Sequence, residues 1–266
     1  MDLSMKPETR PVCMITGAAS GIGAATALRF ARAGYVVAIG NFDASTRESA
    51  ETVAAACRDA GSDTLIFDAD VGSDADCRAA VASVTRRFGR LDALVNCAGT
   101  TKVITHDAFD QLDANEFERV YRVNTIGLYQ MTRAAAPLLR ESATQSRSTS
   151  VINISSLAAL NGTGSSLAYA ASKGAVNTMT LSLARSLSPH VRVNAIAPGM
   201  VDDGLLFRAL DASRYAAVID RMTTNAPLKR VSLPGEIADI AWFLCTAPSI
   251  TGQVIAAENG LLLNNG

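Results

Sequence analysis

The chain has 266 residues, of which 48% are hydrophobic, 18% charged and only 5% aromatic, with a formal net charge of −1 at pH 7. A near-neutral chain offers no electrostatic footprint for nucleic acid or an anionic membrane, and no apolar run reaches the ~18 residues a transmembrane helix needs. The scattered cysteines (Cys13, Cys57, Cys77, Cys97, Cys245) form no CxxC pair, and with only His106 and His190 beside them they argue against a metal site and for buried thiols in a reducing compartment.

This length suits a single α/β domain over 1–266, with 1–10 as a polar, flexible lead that holds no apolar signal core, so a soluble, cytoplasmic protein is expected. Residues 11–16 are an apolar run too short for a helix, ending in Gly17-Ala-Ala-Ser20-Gly21-Ile22-Gly23. A helical pattern over 24–33 comes next, closed by Gly34 where a left-handed residue is favoured. Strand, glycine-rich turn and helix in that order make a phosphate cradle: glycines admit a pyrophosphate to the backbone, and the helix N-terminus favours its charge. The spacing is G-x-x-x-G-x-G, not the G-x-G-x-x-G of two-domain dehydrogenases.

Residues 35–40 read as the second strand, leading to a helix through Ala60. A third strand, 63–67, ends at Asp68-Ala-Asp70-Val71; a helix runs over 73–88, and a fourth strand, 92–96, stops at Cys97-Ala98-Gly99. Strands alternating with helices imply right-handed crossovers and a Rossmann-like, doubly wound parallel β-sheet of about seven strands with helices on both faces. Ligands of such sheets bind beyond the carboxyl ends of the strands, where Gly17, Asn41, Asp70 and Asn96 all fall.

Residues 100–111 read as a loop, 113–139 as one long helix holding Asn124 and Gly127, and 142–150 as a polar turn. The fifth strand, 151–154, delivers Ser155 and Ser156 to the same sheet edge. After a helix carrying Tyr169, the sixth strand, 190–196, runs into Pro198-Gly199. Residues 201–230 read as a helical flap over the cleft, 234–246 as a last amphipathic helix and 253–257 as the closing strand.

Tyr169 and Lys173, four residues apart, share one helix face. Alone, such a pair means no more than an aromatic packed inward beside a solvated amine. With Ser156 thirteen residues ahead it reads as acid–base machinery. A phenol with an ordinary pKa of about 10 needs roughly 4 kcal/mol of environment to titrate near 7, and a neighbouring ammonium favours its ionised form. Lys173 would tune Tyr169, and Ser156 would bind the oxygen whose charge changes.

Thr16-Gly17-x-x-x-Gly21-Ile22-Gly23, Asp70-Val71, Asn96-x-Ala98-Gly99, Asn124, Ser156, Tyr169-x-x-x-Lys173 and Pro198-Gly199 together resemble the short-chain dehydrogenase/reductase family, in its order and at its distances, over 12–262. The chain looks like the single-domain members of the 3-oxoacyl-carrier-protein reductase type; its Tyr-to-Lys step sets it apart from the enoyl-reductase branch. The resemblance implies an NAD(P)-dependent enzyme interconverting a ketone and a secondary alcohol. It implies Tyr169 as general acid/base, Ser156 on the substrate oxygen, Lys173 on the nicotinamide ribose, and Asn124 holding a water that links Lys173 to solvent. For the cofactor it implies Gly17, Ser20, Gly21, Ile22 and Gly23 at the phosphates and Asn41 at the adenosine ribose. Asp70 and Val71 would border the adenine, Asn96, Ala98 and Gly99 the adenosine ribose and sheet centre, and Pro198, Gly199 and Val201 the nicotinamide end with Tyr169 and Lys173.

Cofactor choice turns on Asn41, which is neutral where a carboxylate would read the ribose 2′-hydroxyl of NAD. Ser20 stands where many NADP enzymes have Arg; Arg47 is the nearest cation, and Asp43 suits either the ribose or a helix N-cap. The missing acid tips the expectation towards NADP over NAD. Asp203 departs from the Thr that commonly comes after the Pro-Gly, Cys97 from a second Asn, and Glu258-Asn259-Gly260 from Asp-Gly-Gly.

Ser156, Leu157, Tyr169, Met200 and Leu205 are the expected substrate pocket, mostly apolar, with His106 either at its entrance or on a surface loop. The partner is then a small carbonyl or alcohol, with no nucleic acid or membrane. The resemblance implies a homotetramer or homodimer through the Asn124 and Tyr169 helices. Two rival functions share the pattern: a catalytically silent nucleotide-binding scaffold or redox sensor, and a dehydratase or isomerase without net redox turnover.

Overall fold

The computed structural model describes residues 10–263. Of the lead expected to be flexible, 1–9 lie outside the described residues, whereas Arg10 is anchored: its guanidinium donates to the carbonyls of Gly34 and Gly61 at 3.1 and 3.0 Å.

Seven strands, β1 (Val12–Thr16), β2 (Val36–Asn41), β3 (Thr64–Asp68), β4 (Ala93–Asn96), β5 (Thr149–Ile154), β6 (Val191–Pro198) and β7 (Val254–Ala257), form one sheet in the order β3-β2-β1-β4-β5-β6-β7. All its pairings are parallel. Such a sheet is covered on both faces, so its strands are largely apolar and side chains alternate between two cores. Val12 and Met14 join Leu94, Val151 and Val193 under α3 (Asp74–Phe88), α5 (Leu128–Ser142) and α7 (Leu167–Leu187). Cys13 and Ile15 join Ile39, Ile152 and Ile196 under α1 (Gly21–Arg32), α2 (Arg47–Asp59) and α10 (Pro234–Thr246). Each such fully buried Ile, Leu or Met contributes roughly 1.5–3 kcal/mol.

Sequence signals start and stop these helices as capping chemistry requires. Ser73 caps α3 by accepting from Asp76 N–H at 3.3 Å, Asp74 and Asp76 lie in its first turn, and Gly89 ends it at φ +67°. After β3 the chain crosses beneath the sheet to β4, on the far side of β1. That reversal opens a crevice above the carboxyl ends of β1 and β4.

The helix expected over 113–139 is not continuous. It consists of α4 (Ala114–Tyr121), a π-helical turn (Arg122–Gly127) and α5. A π turn inserts one residue into the α-helical ladder and so rotates the helix beyond it; Asn124 is thereby only 2% exposed. β5 begins two residues earlier than expected and β6 ends two later. The flap is helical as expected, built from α8 (Leu205–Ala209) and α9 (Ala212–Asn225), and its entry and exit turn at left-handed Asp203 and Lys229.

Candidate active site

The carboxyl ends of β1 and β4 are clasped together. Thr16 Oγ1 accepts from the backbone N–H of both Cys97 and Ala98 at 3.1 Å. Gly17 has φ +62°, and a Cβ there would stand 2.8 Å from Ala98 Cα, so only glycine lets the turn pass so close. Ser20 is the N-cap residue of α1, and Gly21, Ile22 and Gly23 open its first turn. Bare backbone at a helix N-terminus over a strand crossover is the donor set that holds a pyrophosphate, so these residues fit a dinucleotide.

At the carboxyl ends of β2 and β3, the side chain of Asn41 is fully engaged. It donates to Asp43 O and Asp68 Oδ1, both at 2.8 Å, and accepts from Thr46 Oγ1 at 2.6 Å. Asp43 is the N-cap of the adjoining turn, and the donors of Ser45 hold its carboxyl below the usual range. Arg47 pairs with Glu51 at 3.0 Å and Asp68 at 3.4 Å. A cavity of about 420 Å³ is bordered by Asn41, Asp43, Ala44, Arg47 and Asp68. Asp70 accepts from Gly72 N–H and pairs with Arg122 at 3.1 Å, while Val71 is buried and its carbonyl accepts from Gln130. Asn96, the last residue of β4, is buried and donates to Thr132 on α5 and to Asn153 on β5, both at 2.9 Å; its side chain serves the sheet centre rather than the cleft.

On the other side of the crevice, α7 starts at Ser166, whose hydroxyl accepts from Tyr169 N–H at 3.2 Å. Tyr169 is half-buried, and Ser156, just beyond β5, is near enough to pull the pKa of its phenol down. Ser156 Oγ also accepts from Ala158 N–H at 3.1 Å. Lys173 is 5% exposed, and its ammonium donates to Ile154 O at 2.7 Å. Its Nζ lies 5.7 Å from the Tyr169 ring centre. Gly99 abuts the same spot, since a Cβ on it would lie 3.5 Å from Asn124 Oδ1 and 3.8 Å from Lys173 Nζ.

Burial dominates the electrostatics of Tyr169 and Lys173. Burial raises the Tyr169 phenol above its ordinary range, with the Ser156 hydrogen bond pulling down and Cys97 pushing up. Burial also brings Lys173 down to about 8. The Lys173 ammonium donates to Ile154 O rather than to the phenol and stands 5.7 Å from the ring centre.

At the rim, Leu157 N–H donates to Pro198 O at 2.8 Å and Gly199 N–H to Ala257 O at 2.9 Å. Leu157 and Val201 are buried; Met200 and Leu205 are half-buried at the flap's entry. The carbonyl of Asp203 packs over Gly21, 2.8 Å from where a Cβ would stand. Tyr215 of α9 holds that turn by donating to Asp202 Oδ1 at 2.7 Å and accepting from Asp203 N–H at 2.9 Å. His106 is half-buried rather than on the surface, with Nε2 enclosed. Sequence reasoning does not single out Thr100, Ser166 or Ser172, nor the clasp that Thr16 makes. Ser172 alone carries a signal that could have found it, since it stands inside the Tyr169-x-x-x-Lys173 motif.

Among the described residues no His/Cys/Asp/Glu group is placed to hold a metal, and no helix is long and apolar enough to cross a membrane. A family model described as enoyl-(acyl carrier protein) reductase matches residues 17–262. The chain is 32% identical to a 3-oxoacyl-[acyl-carrier-protein] reductase of Thermotoga maritima over 256 residues, covering 95% of this chain and 98% of that one. A crystal structure from Burkholderia xenovorans, described as a short-chain dehydrogenase/reductase, superposes with a TM-score of 0.91 at 72% identity, covering 96% and 99% of the two chains. A 3-ketoacyl-(acyl-carrier-protein) reductase from Brucella melitensis, complexed with NADH, superposes with a TM-score of 0.84 at 32% identity, covering 94% and 98%. The chain belongs to the short-chain dehydrogenase/reductase family and is an NAD(P)-dependent oxidoreductase.

Proposed function

We propose that the chain reduces a ketone on a mostly apolar small molecule to the secondary alcohol, with Tyr169 as proton donor. The observation that carries this reading is the convergence at the carboxyl edge of the sheet of Ser156, just beyond β5, and Tyr169, whose phenol the Ser156 hydroxyl stabilises in its ionised form. When bound, the nicotinamide supplies the hydride. A phenol held above its ordinary pKa is protonated at neutral pH, as an acid for reduction must be. Ser156 shares the substrate oxygen and stabilises its developing charge, a contribution that typically amounts to a hundredfold or more in rate. Lys173 binds the nicotinamide ribose and steadies the end of β5 through Ile154 O. Asn124 holds a water that connects Lys173 to solvent.

Gly17, Ser20, Gly21, Ile22 and Gly23 hold the phosphates; Asn41, Asp70, Val71, Ala98 and Gly99 line the adenosine half; Pro198, Gly199 and Val201 border the nicotinamide. NADP is preferred to NAD: the end of β2 carries a neutral Asn, and Arg47 borders the same cavity. Two relatives are named reductases of 3-oxoacyl and 3-ketoacyl groups on acyl carrier protein, and Leu157, Met200 and Leu205 suit an acyl body. NADPH oxidation against β-keto esters, diketones and acetoacetyl-CoA tests the reading; no turnover on any of them would remove it in favour of a silent scaffold or a non-redox lyase.

The same reading includes self-association through the two long helices. Ile126 on the π turn, Tyr129 on α5 and Leu181 on α7 are 49%, 42% and 46% exposed, large apolar side chains that a homotetramer or homodimer would cover. A monomeric mass in solution would refute it.

A further inference from the structure

We propose that the Glu116–Arg119 ion pair is a positioning element for catalysis, acting through Thr100, Asn124 and Ser172 on the helical turn that carries Tyr169 and Lys173. The proposal rests on the reading of Tyr169 as the proton donor.

The line begins on α4. Glu116 has a nearly enclosed side chain and holds the guanidinium of Arg119 from two sides, Nη2 to Oε1 at 2.6 Å and Nε to Oε2 at 3.1 Å. A bidentate grip of this kind fixes the plane of the guanidinium. The remaining Nη1 donates to Thr100 Oγ1 at 2.7 Å, in the segment just after β4. One amide then clasps the backbone of Thr100 at both ends: its N–H donates to Asn124 Oδ1 at 2.8 Å and its carbonyl accepts from Asn124 Nδ2 at 3.0 Å. The second proton of Nδ2 goes to Ser172 Oγ at 3.0 Å, and the Ser172 hydroxyl donates to the carbonyl of Tyr169 at 2.7 Å. Thr125, next on the π turn, donates to the Ser172 carbonyl at 3.2 Å.

An isolated exposed ion pair three residues apart on a helix contributes about 0–1 kcal/mol, and Arg119 is 45% exposed. Stability alone gives little reason for its third N–H to reach another segment. Thr100 is next in the chain to Gly99, which abuts both Asn124 Oδ1 and Lys173 Nζ. A displaced Thr100 therefore shifts the wall beside Lys173 and, through Ser172, the backbone of Tyr169. Misplacement by about 1 Å can cost up to a hundredfold in rate without touching the reacting groups.

The test measures kcat and KM for acetoacetyl-CoA with NADPH, the urea midpoint, and amide hydrogen exchange over 169–175. It compares the wild type with Arg119→Met, Thr100→Val, Arg119→Lys and the Met/Val double variant. The expected result for Arg119→Met and for Thr100→Val is kcat down about tenfold, KM within about twofold, the urea midpoint unchanged, and faster exchange over 169–175. The double variant should be no worse than the poorer single one, since both cut the same line. Arg119→Lys should recover part of the loss, because a point donor can satisfy Glu116 or Thr100 but not both. Unchanged kcat and exchange in Arg119→Met, or losses that add in the double variant, would overturn the proposal. If Arg119→Met does not fold, Thr100→Val decides, because it removes only the accepting oxygen. An inactive wild type would sink the Tyr169 reading, and exchange over 169–175 would still decide this one.

Discussion

The ammonium of Lys173 donates to the carbonyl of Ile154 at 2.7 Å, and so ties the helix that carries Tyr169 to the end of the strand that leads to Ser156. The two hydroxyls of the candidate site sit on different elements, and this bond is one of the few that fix their separation. Ser155 adds another, donating to Asn177 Oδ1 at 2.6 Å one helical turn beyond Lys173.

Burying Lys173 has a cost that pH exposes. Its pKa falls from 10.5 to about 8 on folding, so between those values the unfolded chain holds a proton that the folded chain lacks. Stability from this group therefore rises as pH climbs from 8 to 10.5, and is absent below 8. Lys173→Met should be inactive, and its stability relative to wild type should fall by about 1–3 kcal/mol between pH 7 and pH 10. Urea unfolding at the two pH values checks this; a relative stability that rises with pH would contradict it.

Thr16 is 2% exposed and serves two backbone donors. Thr16→Val keeps the shape and orphans both N–H groups, a loss of about 1–3 kcal/mol. It should also slacken the glycine-rich turn against Ala98. The expected outcome is a lower urea midpoint together with weaker NADPH binding by fluorescence titration, while a variant with only the first effect would confine Thr16 to stability.

Gly164 has φ +120° and lies against the Tyr169 ring: a Cβ would stand 3.5 Å from Tyr169 Cδ1 and 2.9 Å from Ala158 Cβ. Gly164→Ala should strain the backbone by about 1–3 kcal/mol and push the ring aside. The measurement is kcat against NADPH affinity, with kcat falling and affinity held.

Much of the fold is legible in the sequence because parallel strands buried on both faces read as short apolar runs, and each ends where a motif begins. The glycine-rich turn, Ser156, Tyr169 and Lys173 are legible for the same reason: the topology delivers strand ends to one edge. Hydrophobic periodicity cannot show the π turn, since one extra residue in a ladder leaves the flanking patterns intact. Nor can spacing alone tell where Lys173 aims. Tyr and Lys on one helix face are compatible with an ammonium on the phenol or on a strand carbonyl, and the bond to Ile154 is decided by tertiary packing. Local sequence makes Arg47 a solvated cation, and its pairing with Asp68, from a different strand, is invisible at that range.

The proposed preference for NADP makes that pairing testable. Arg47 must leave Glu51 and Asp68 to meet a 2′-phosphate, and Asp68 stays bound to Asn41. Wild type should bind NADPH more tightly than NADH, and Arg47→Ala should lose that preference about tenfold through loss of one charge-assisted contact. Dissociation constants for the two nucleotides decide it, and NADH binding at least about tenfold tighter in wild type would reverse the assignment.

The most direct measurement is turnover by Tyr169→Phe, which deletes one oxygen and leaves the ring packing in place. NADPH should bind with unchanged affinity while kcat for ketone reduction falls by about 10²- to 10⁴-fold. A variant that keeps most of its kcat would show that the proton reaches the substrate by another route.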